Sequence, residues 1–395
     1  MSGTLEHRIK NLHGDKYIWL TFIVFAMISV LVVYSACSAL ALRSGTPALN
    51  FMIRQAGFYV LGFAIVLICY AVPLKIYRRG SFFIMGAAII LLMLTPFLDP
   101  EHKRNITLLG ISIQPSEIAK IATVLYLAKT IETCSFKTFW EYALRILAPV
   151  GAVCVLCLIG SASAMLITGF ISFIILVCSN KVPRKYLLWT IPVIIGALGI
   201  VVLAHAINPD LFERIDTVTE RFTRHFSDEE NMTAAELEEM KNKTFQMEQA
   251  RDAIQLGGLS GLGPGNSFKR DVLPNAYDDY IFCIIVEEYG LIGGTIVILL
   301  YLFFFYRCMR IAASCKKDFA LITVLGLSTL ITLQAFLHIF VNTGIVPVTG
   351  QTLPMISRGG TSLVIMSSAF GIILAVNRTI EIKEMRLKAK KEAKS

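Results

Sequence analysis

Uncharged apolar runs of bilayer-spanning or near-spanning length recur from one end of this chain to the other, and they restrict what it can fold into more than any other feature. Tyr17 to Leu42, Gln55 to Pro73, Ser81 to Leu98, Tyr186 to Ile207, Phe319 to Phe340 and Thr361 to Val376 contain no Asp, Glu, Lys or Arg. Lipid offers no hydrogen bonds, so each run can satisfy its backbone only as a helix. Weaker runs fill the gaps: Ile118 to Ala128 with one lysine, Ile146 to Gly160, Ala164 to Cys178, and Tyr280 to Tyr306 with Glu287 and Glu288. The expectation is an all-α polytopic integral membrane protein with about ten transmembrane helices. Composition agrees, because a chain that is 55% hydrophobic and 16% charged holds more apolar surface than a soluble core of 395 residues can hide.

An even number of spans puts both termini on one side. Lysines and arginines of the tails and of the loops on that side outnumber those of the short opposite loops by more than four to one. Both ends are therefore expected to be cytoplasmic. The expected organisation is a cytoplasmic tail over 1–16, a membrane domain over 17–377 and a basic cytoplasmic tail over 378–395. One extracytoplasmic loop, 208–279, is far longer than an ordinary connection and so points to function. Within it, Ala234 to Ile254 can form a surface helix, and five glycines between Gly257 and Gly265 demand tight turns.

A net charge of +9 raises the question of nucleic acid. The basic residues sit mainly at helix ends and between Arg378 and Lys394, a placement that suits anionic membrane lipids and leaves no nucleic-acid surface. Nine scattered cysteines imply no disulfide framework, and Cys154 and Cys157 read as small core residues rather than metal ligands. The first apolar stretch is too long for a secretion signal, and cleavage before Cys37 would destroy the first span.

Three polar constellations carry chemistry. In Gln114 to Lys120, proline suits the first helical turn, Glu117 suits its positive end, and Glu117 and Lys120 lie three apart on one face. The plainer reading of that spacing is a capped helix with an internal ion pair, while a lysine within the membrane also calls for a polar cavity or a carboxylate partner on another helix. In Leu273 to Gly290, Asp279, Cys283 and Glu287 fall at i, i+4 and i+8, one stripe that cannot face lipid. Asp278 and Asp279 also suit a helix N-cap, and for Glu287 or Glu288 the plainer reading is a structural ion pair, with Lys120 a candidate partner. In Gly350 to Ser362, Ser357, Arg358, Gly359 and Gly360 could present N–H groups and a positive charge to a phosphate, or simply form a tight turn. All three lie on the outer side of this topology, which suits a lipid-linked, negatively charged substrate.

At these motifs the chain resembles the SEDS family of shape, elongation, division and sporulation proteins (RodA/FtsW/SpoVE). Tyr34-Ser35-Ala36, Gln114 to Lys120, Gln249 to Gly265, Leu273 to Phe282, Glu287 to Gly293, Asn342 to Gly350 and Leu353 to Ser362 carry the likeness in order along nearly the whole chain. Gln249-Ala250, Gly261 to Ser267 and Pro347 to Gln351 look closest to the division branch. The resemblance implies a peptidoglycan glycosyltransferase that polymerises lipid II at the outer face of the bacterial cytoplasmic membrane. It also implies work beside an FtsI-like class B penicillin-binding protein and other divisome proteins.

The family's essential aspartate falls on Asp279, as general base for the acceptor 4-hydroxyl. Lys120, Lys269, Arg270 and Arg358, with Glu117, Ser357, Gly359 and Gly360, are the implied substrate-binding residues. A divalent cation, Mg²⁺ or Mn²⁺, is the one cofactor this chemistry admits, its ligands unknown, and no organic cofactor is expected. Two positions depart from the family pattern: its Pro-Asp pair is absent from Leu158 to Ser163, and its tryptophan after Arg104 is Asn105. A lipid II flippase, or a scaffold that only activates the transpeptidase partner, are the competing functions.

Overall fold

The computed structural model describes residues 14–99, 105–108, 111–179, 181–190, 234–347 and 350–392. It is a helical bundle. In chain order the helices are α1 (Lys16–Ala36), α2 (Ser38–Ser44), α3 (Ala48–Ala71), α4 (Leu74–Leu98), α5 (Pro115–Thr133), α6 (Phe139–Gly160), α7 (Ala162–Cys178), α8 (Ala234–Gly257), α9 (Ile281–Ala313), α10 (Asp318–Asn342) and α11 (Thr361–Glu392). Among the described residues, α1, α3, α4, α6, α9, α10 and α11 have segments long and apolar enough to span a membrane. The expected span over 186–207 lies mostly outside the described residues, and α5 and α7 pack as long helices within the bundle.

The structure adds three local features to this helical framework. Residues 106–108 (β1) and 111–113 (β2) form a small antiparallel pair, with Ile106 opposite Ile113, beside the all-α bundle. The first span stops at Cys37 and restarts as α2. The basic tail expected from residue 378 onward is a continuation of α11, helical to Glu392.

Local chemistry sets the helix starts. The Asp15 carboxylate caps α1 by accepting from the N–H groups of Tyr17 and Ile18 at 2.9 and 3.4 Å. Pro115 occupies the first turn of α5, where its missing N–H costs nothing. Between helices, small residues permit close approach: a Cβ at Gly371 of α11 would stand 2.7 Å from the Val66 carbonyl of α3.

The two ends of the bundle differ in character. One end is tied by ion pairs and helix-end contacts: Arg307 with Asp15, Arg78 with Glu132, Lys181 with Asp318 at 2.6 Å, and the Gly14 N–H with Glu381 at 2.8 Å. At the other end meet the start of α3, the β hairpin, α8, the start of α9, the end of α10 and the start of α11. The three polar constellations lie there.

Candidate active site

The site is built on a broken helix. At Gly290, φ is +70° and ψ −174°, so α9 is two helical pieces joined by one extended residue. The break frees backbone groups that the glycine-rich segment after α8 then satisfies. The N–H groups of Leu262 and Gly263 donate to the carbonyls of Glu287 and Glu288 at 2.9 Å each, and the N–H of Leu291 donates to Gly258 O at 2.9 Å. Irregular backbone inside a membrane protein survives only with such internal partners. Contact this close leaves no room for side chains: a Cβ at Gly290 would lie 2.2 Å from Leu259 O, and one at Gly261 2.2 Å from Glu288 O. Both glycines have positive φ, which an L side chain rarely adopts.

The segment 274–280 precedes α9 as a turn. Asn275 takes φ +55°, and its carbonyl accepts from the N–H groups of Asp278 and Asp279 at 2.9 and 3.0 Å. The helix begins only at Ile281, with Tyr280 at the cap position and no side-chain cap bond. Asp278 and Asp279 are therefore not its N-cap, and Asp279 lies ahead of the helical stripe carrying Cys283 and Glu287.

What holds this turn comes from α10 and the loop before α11. Three consecutive carbonyls each accept one donor: Tyr277 from the Arg358 N–H at 3.1 Å, Asp278 from Ser357 Oγ at 2.9 Å, and Asp279 from Asn342 Nδ2 at 2.9 Å. The same Asn342 side chain accepts from the Cys283 N–H at 3.1 Å, so a residue of α10 caps the first turn of α9. Asp279 is thus placed through its backbone, with its side chain partly exposed.

The loop 351–358 is a buried plug rather than an exposed turn; Leu353, Met355, Ile356 and Ser357 are all buried. Its carbonyls are met one by one from neighbouring helices: Gln351 O by His338 Nδ1 at 2.8 Å, Pro354 O by the Tyr301 hydroxyl, Met355 O by the Tyr59 hydroxyl, and Ile356 O by Ser29 Oγ at 2.8 Å. With Nδ1–H donating, His338 Nε2 is left to accept from Asn342 Nδ2 at 3.3 Å. Gln351 in turn donates to Ser163 Oγ at 3.1 Å and accepts from Gln334 at 3.3 Å. A polar chain therefore runs from Asp279 through Asn342, His338 and Gln351 to Ser163, where the family's Pro-Asp pair is missing.

The cations expected to bind substrate divide into two groups. Lys120 is fully buried and paired at 2.7 Å with Glu117 of its own helix, not with Glu287 or Glu288. The i, i+3 geometry on α5 satisfies it locally, so no partner from another helix is recruited. Lys269 donates to Gln249 Oε1 at 2.6 Å and Asp252 Oδ2 at 3.0 Å, which pins its loop to α8. Arg270 donates to Ser35 Oγ at 3.0 Å and stands 3.8 Å from Glu288, so the ion pair expected of Glu288 forms with Arg270. Glu287 makes hydrogen bonds instead: it accepts from Ser267 Oγ and from the Phe268 and Lys269 N–H groups at 2.9 and 3.2 Å.

Arg358 is different. Its guanidinium lies 4.3 Å over the Tyr277 ring and 5.5 Å from the Phe51 centroid, and Nη1 has no hydrogen-bond partner among the described residues. Burial raises the Tyr277 phenol above its ordinary value, against the opposing pull of Arg358, so the stacked ring stays neutral at physiological pH. Arg358 and Gly360 line a cleft of about 220 Å³ with Phe51, Arg54, Gln55, Phe58, Ser112 and Thr361. Ser357 faces the turn instead and holds Asp278, and Gly359 accepts from the Ser362 N–H at 2.8 Å as α11 begins.

Among the described residues no three His, Cys, Asp or Glu side chains gather as a metal-binding group. The described residues therefore form no cage for a divalent cation. Sequence reasoning missed Asn342 and His338. Asn342 opens one of the motifs on which the family likeness rests, a signal that could have found it.

Comparison with known proteins follows this geometry. Residues 15–382 match the model of the FtsW/RodA/SpoVE family, described as cell cycle proteins. A protein of Enterococcus hirae named as a probable peptidoglycan glycosyltransferase FtsW is 30% identical, over 95% of this chain and 94% of its own. A namesake from Geobacter metallireducens is 29% identical over 92% and 94%. In fold, the chain is similar to a component of a peptidoglycan synthase complex described as coordinating polymerization and crosslinking, with TM-score 0.70, 21% identity and coverage of 93% and 98%. It is also similar to the rod shape determining protein RodA of Thermus thermophilus, with TM-score 0.65, 20% identity and coverage of 92% and 97%.

Proposed function

Since this chain belongs to the FtsW/RodA/SpoVE family of cell cycle proteins, we propose that it is a peptidoglycan glycosyltransferase that polymerises lipid II into glycan strands for septal wall synthesis, with Asp279 as general base. The observation that carries the base assignment is the turn itself. Three donors from α10 and the loop before α11 hold three successive carbonyls, and Asp279 is partly exposed at one end of a membrane bundle. A base must be positioned before its basicity matters, and this scaffold positions the backbone of Asp279.

In the reaction, the Asp279 carboxylate takes the proton of the acceptor sugar's 4-hydroxyl as that oxygen attacks the donor's anomeric carbon. A glycosidic C–O bond forms, the bond from that carbon to the diphosphate oxygen breaks, and the polyprenyl diphosphate leaves with the electron pair. Of the four cations expected to receive that charge, Lys120, Lys269 and Arg270 are paired with carboxylates of the protein, whereas Arg358 stacks on Tyr277 and keeps Nη1 without a hydrogen-bond partner among the described residues, so the role is assigned to it. Lys269 and Arg270 instead brace the loop on which the turn rests.

The protein is a multi-pass membrane protein. The excess of basic residues on the tail side supports cytoplasmic termini and an extracytoplasmic site in the bacterial inner membrane. A class B penicillin-binding protein is the expected partner, in keeping with the synthase complex that holds a protein of this fold.

The test is the purified full-length chain supplied with labelled lipid II, beside Asp279→Asn. Polymer from the native chain alone is expected. Equal polymer from both removes Asp279 from its role, while lipid II translocation without polymer would favour transport.

A further inference from the structure

A small cavity of about 10 Å³ lies where the ends of α4 and α6 meet the starts of α5 and α7, with Leu92, Pro96, Ser116, Ile159, Gly160 and Ser161 in its walls. Those walls carry hydrogen-bonding groups that the helices leave over. Pro96 stands inside α4 and has no N–H, so the Leu92 carbonyl one turn earlier loses its helical donor. Ile159 and Gly160 belong to the last turn of α6, whose carbonyls have no intrahelical donors. Ser116 is buried at the start of α5, and its Oγ has no hydrogen-bond partner among the described residues. The volume admits one water and nothing larger, and polar groups so gathered are the usual partners of an ordered water. A metal ion is the poorer occupant, because no carboxylate lines the wall and the Lys120 charge reaches Cys157 beside it.

Hydrogen bonds lead from this cavity to the turn that carries Asp279. Ser161 Oγ lies 3.1 Å from Ser163 Oγ and accepts from the Ala164 N–H at 3.3 Å. Ser163 accepts from Gln351, the Gln351 carbonyl accepts from His338, and His338 accepts from Asn342, which also donates to the Asp279 carbonyl. The directions agree. With Ser163 donating to Ser161, every donor from Asn342 onward points toward the cavity. Both acceptor positions of Ser161 are then taken, and its single proton is left for a group inside the cavity. Hydrogen bonds aligned in this way strengthen one another and fix their rotamers together.

We propose that one water bound between Ser116 and Ser161 anchors this line, and that Ser116, Ser161, Ser163 and His338 are positioning residues that set Asp279 through Asn342. This rests on the glycosyltransferase reading and deepens it. None of the four touches the reacting atoms. Without the water, two buried hydroxyls lose a partner and Ser161 is free to rotate, so the slack passes along the line to the amide that holds the Asp279 carbonyl. The line starts in the stretch Leu158 to Ser163, which lacks the family's Pro-Asp pair, so in this chain hydroxyls tie that corner to the site.

The experiment uses the full-length chain in detergent with labelled lipid II and a double-variant cycle on Ser116→Ala and Ser163→Ala, two residues that share no direct hydrogen bond. Each change should lower kcat roughly three- to tenfold with KM little altered, the worth of one lost hydrogen bond. The double variant should lose no more than the stronger single one, because both cut the same line. Ser163→Thr keeps the hydroxyl and should stay near the parent. A double loss close to the product of the two single losses would mean independent sites and overturn the proposal. So would an experimental structure that resolves ordered waters and shows none between Ser116 and Ser161. Thermal unfolding is read on every variant, and the Tm shifts should be as non-additive as the losses in kcat. That second readout keeps the two ideas apart: a parent that makes no polymer refutes the glycosyltransferase reading, while additive Tm shifts refute the line.

Discussion

Replacing Asn342 with alanine should loosen the turn that carries Asp279, and the structure gives the scale of the effect. Asn342 is completely buried and links two elements: its Oδ1 accepts from the Cys283 N–H at 3.1 Å and its Nδ2 donates to the Asp279 carbonyl at 2.9 Å. Truncation leaves a buried first-turn N–H of α9 without an acceptor, which costs roughly 1–3 kcal/mol. Losing the bond to the Asp279 carbonyl adds roughly 0.5–1.5 kcal/mol. Together these predict about 1.5–4.5 kcal/mol of destabilisation. The kinetic effect follows from position, because a shift of about 1 Å in a catalytic group costs on the order of 100-fold in rate. The assay is the initial rate of glycan polymerisation across a range of lipid II concentrations, paired with thermal unfolding in the same detergent. Asn342→Ala should lower kcat far more than it raises KM. Asn342→Asp keeps the acceptor for Cys283 but turns a buried carboxylate oxygen toward the carbonyls of Asp279 and His338, so it should recover neither stability nor rate. A folded Asn342→Ala enzyme within twofold of the parent kcat would refute the reasoning that the turn is held from α10.

Other substitutions test the supporting structure. Gly290→Ala forces a Cβ to 2.2 Å from Leu259 O at φ +70° and should prevent accumulation of folded protein in membranes, whereas Gly57→Ala, with nothing within 4 Å, should be tolerated. Glu117→Ala strands the buried Lys120 charge and should cost about 3–5 kcal/mol by thermal unfolding, while the double change Glu117→Leu with Lys120→Met should be far milder than either half alone.

The helices themselves were legible because lipid leaves an apolar run only one way to satisfy its backbone. The surface helix expected over 234–254 is α8, and Pro115 opens α5 where its missing N–H does no harm. The partners of charged groups were less legible. For Lys120 two partners were open in the sequence, Glu117 three residues away or a carboxylate on another helix, and the structure takes the local pair. Asp279 was expected on the same helical stripe as Glu287, but backbone held by Asn342, Ser357 and Arg358 delays the helix to Ile281.

Period, hydropathy and turn residues thus determined that the chain is a membrane helical bundle and which stretches were too polar to face lipid, because those properties depend only on near neighbours and the surrounding solvent. Only tertiary packing decided that a glycine strand mends the break at Gly290, that α10 caps α9, and that two distant arginines share one cleft. Those are pairings between segments remote in sequence. Hydrogen bonds and charge pairs act over a few ångströms, so they exist only once the bundle has brought their partners together.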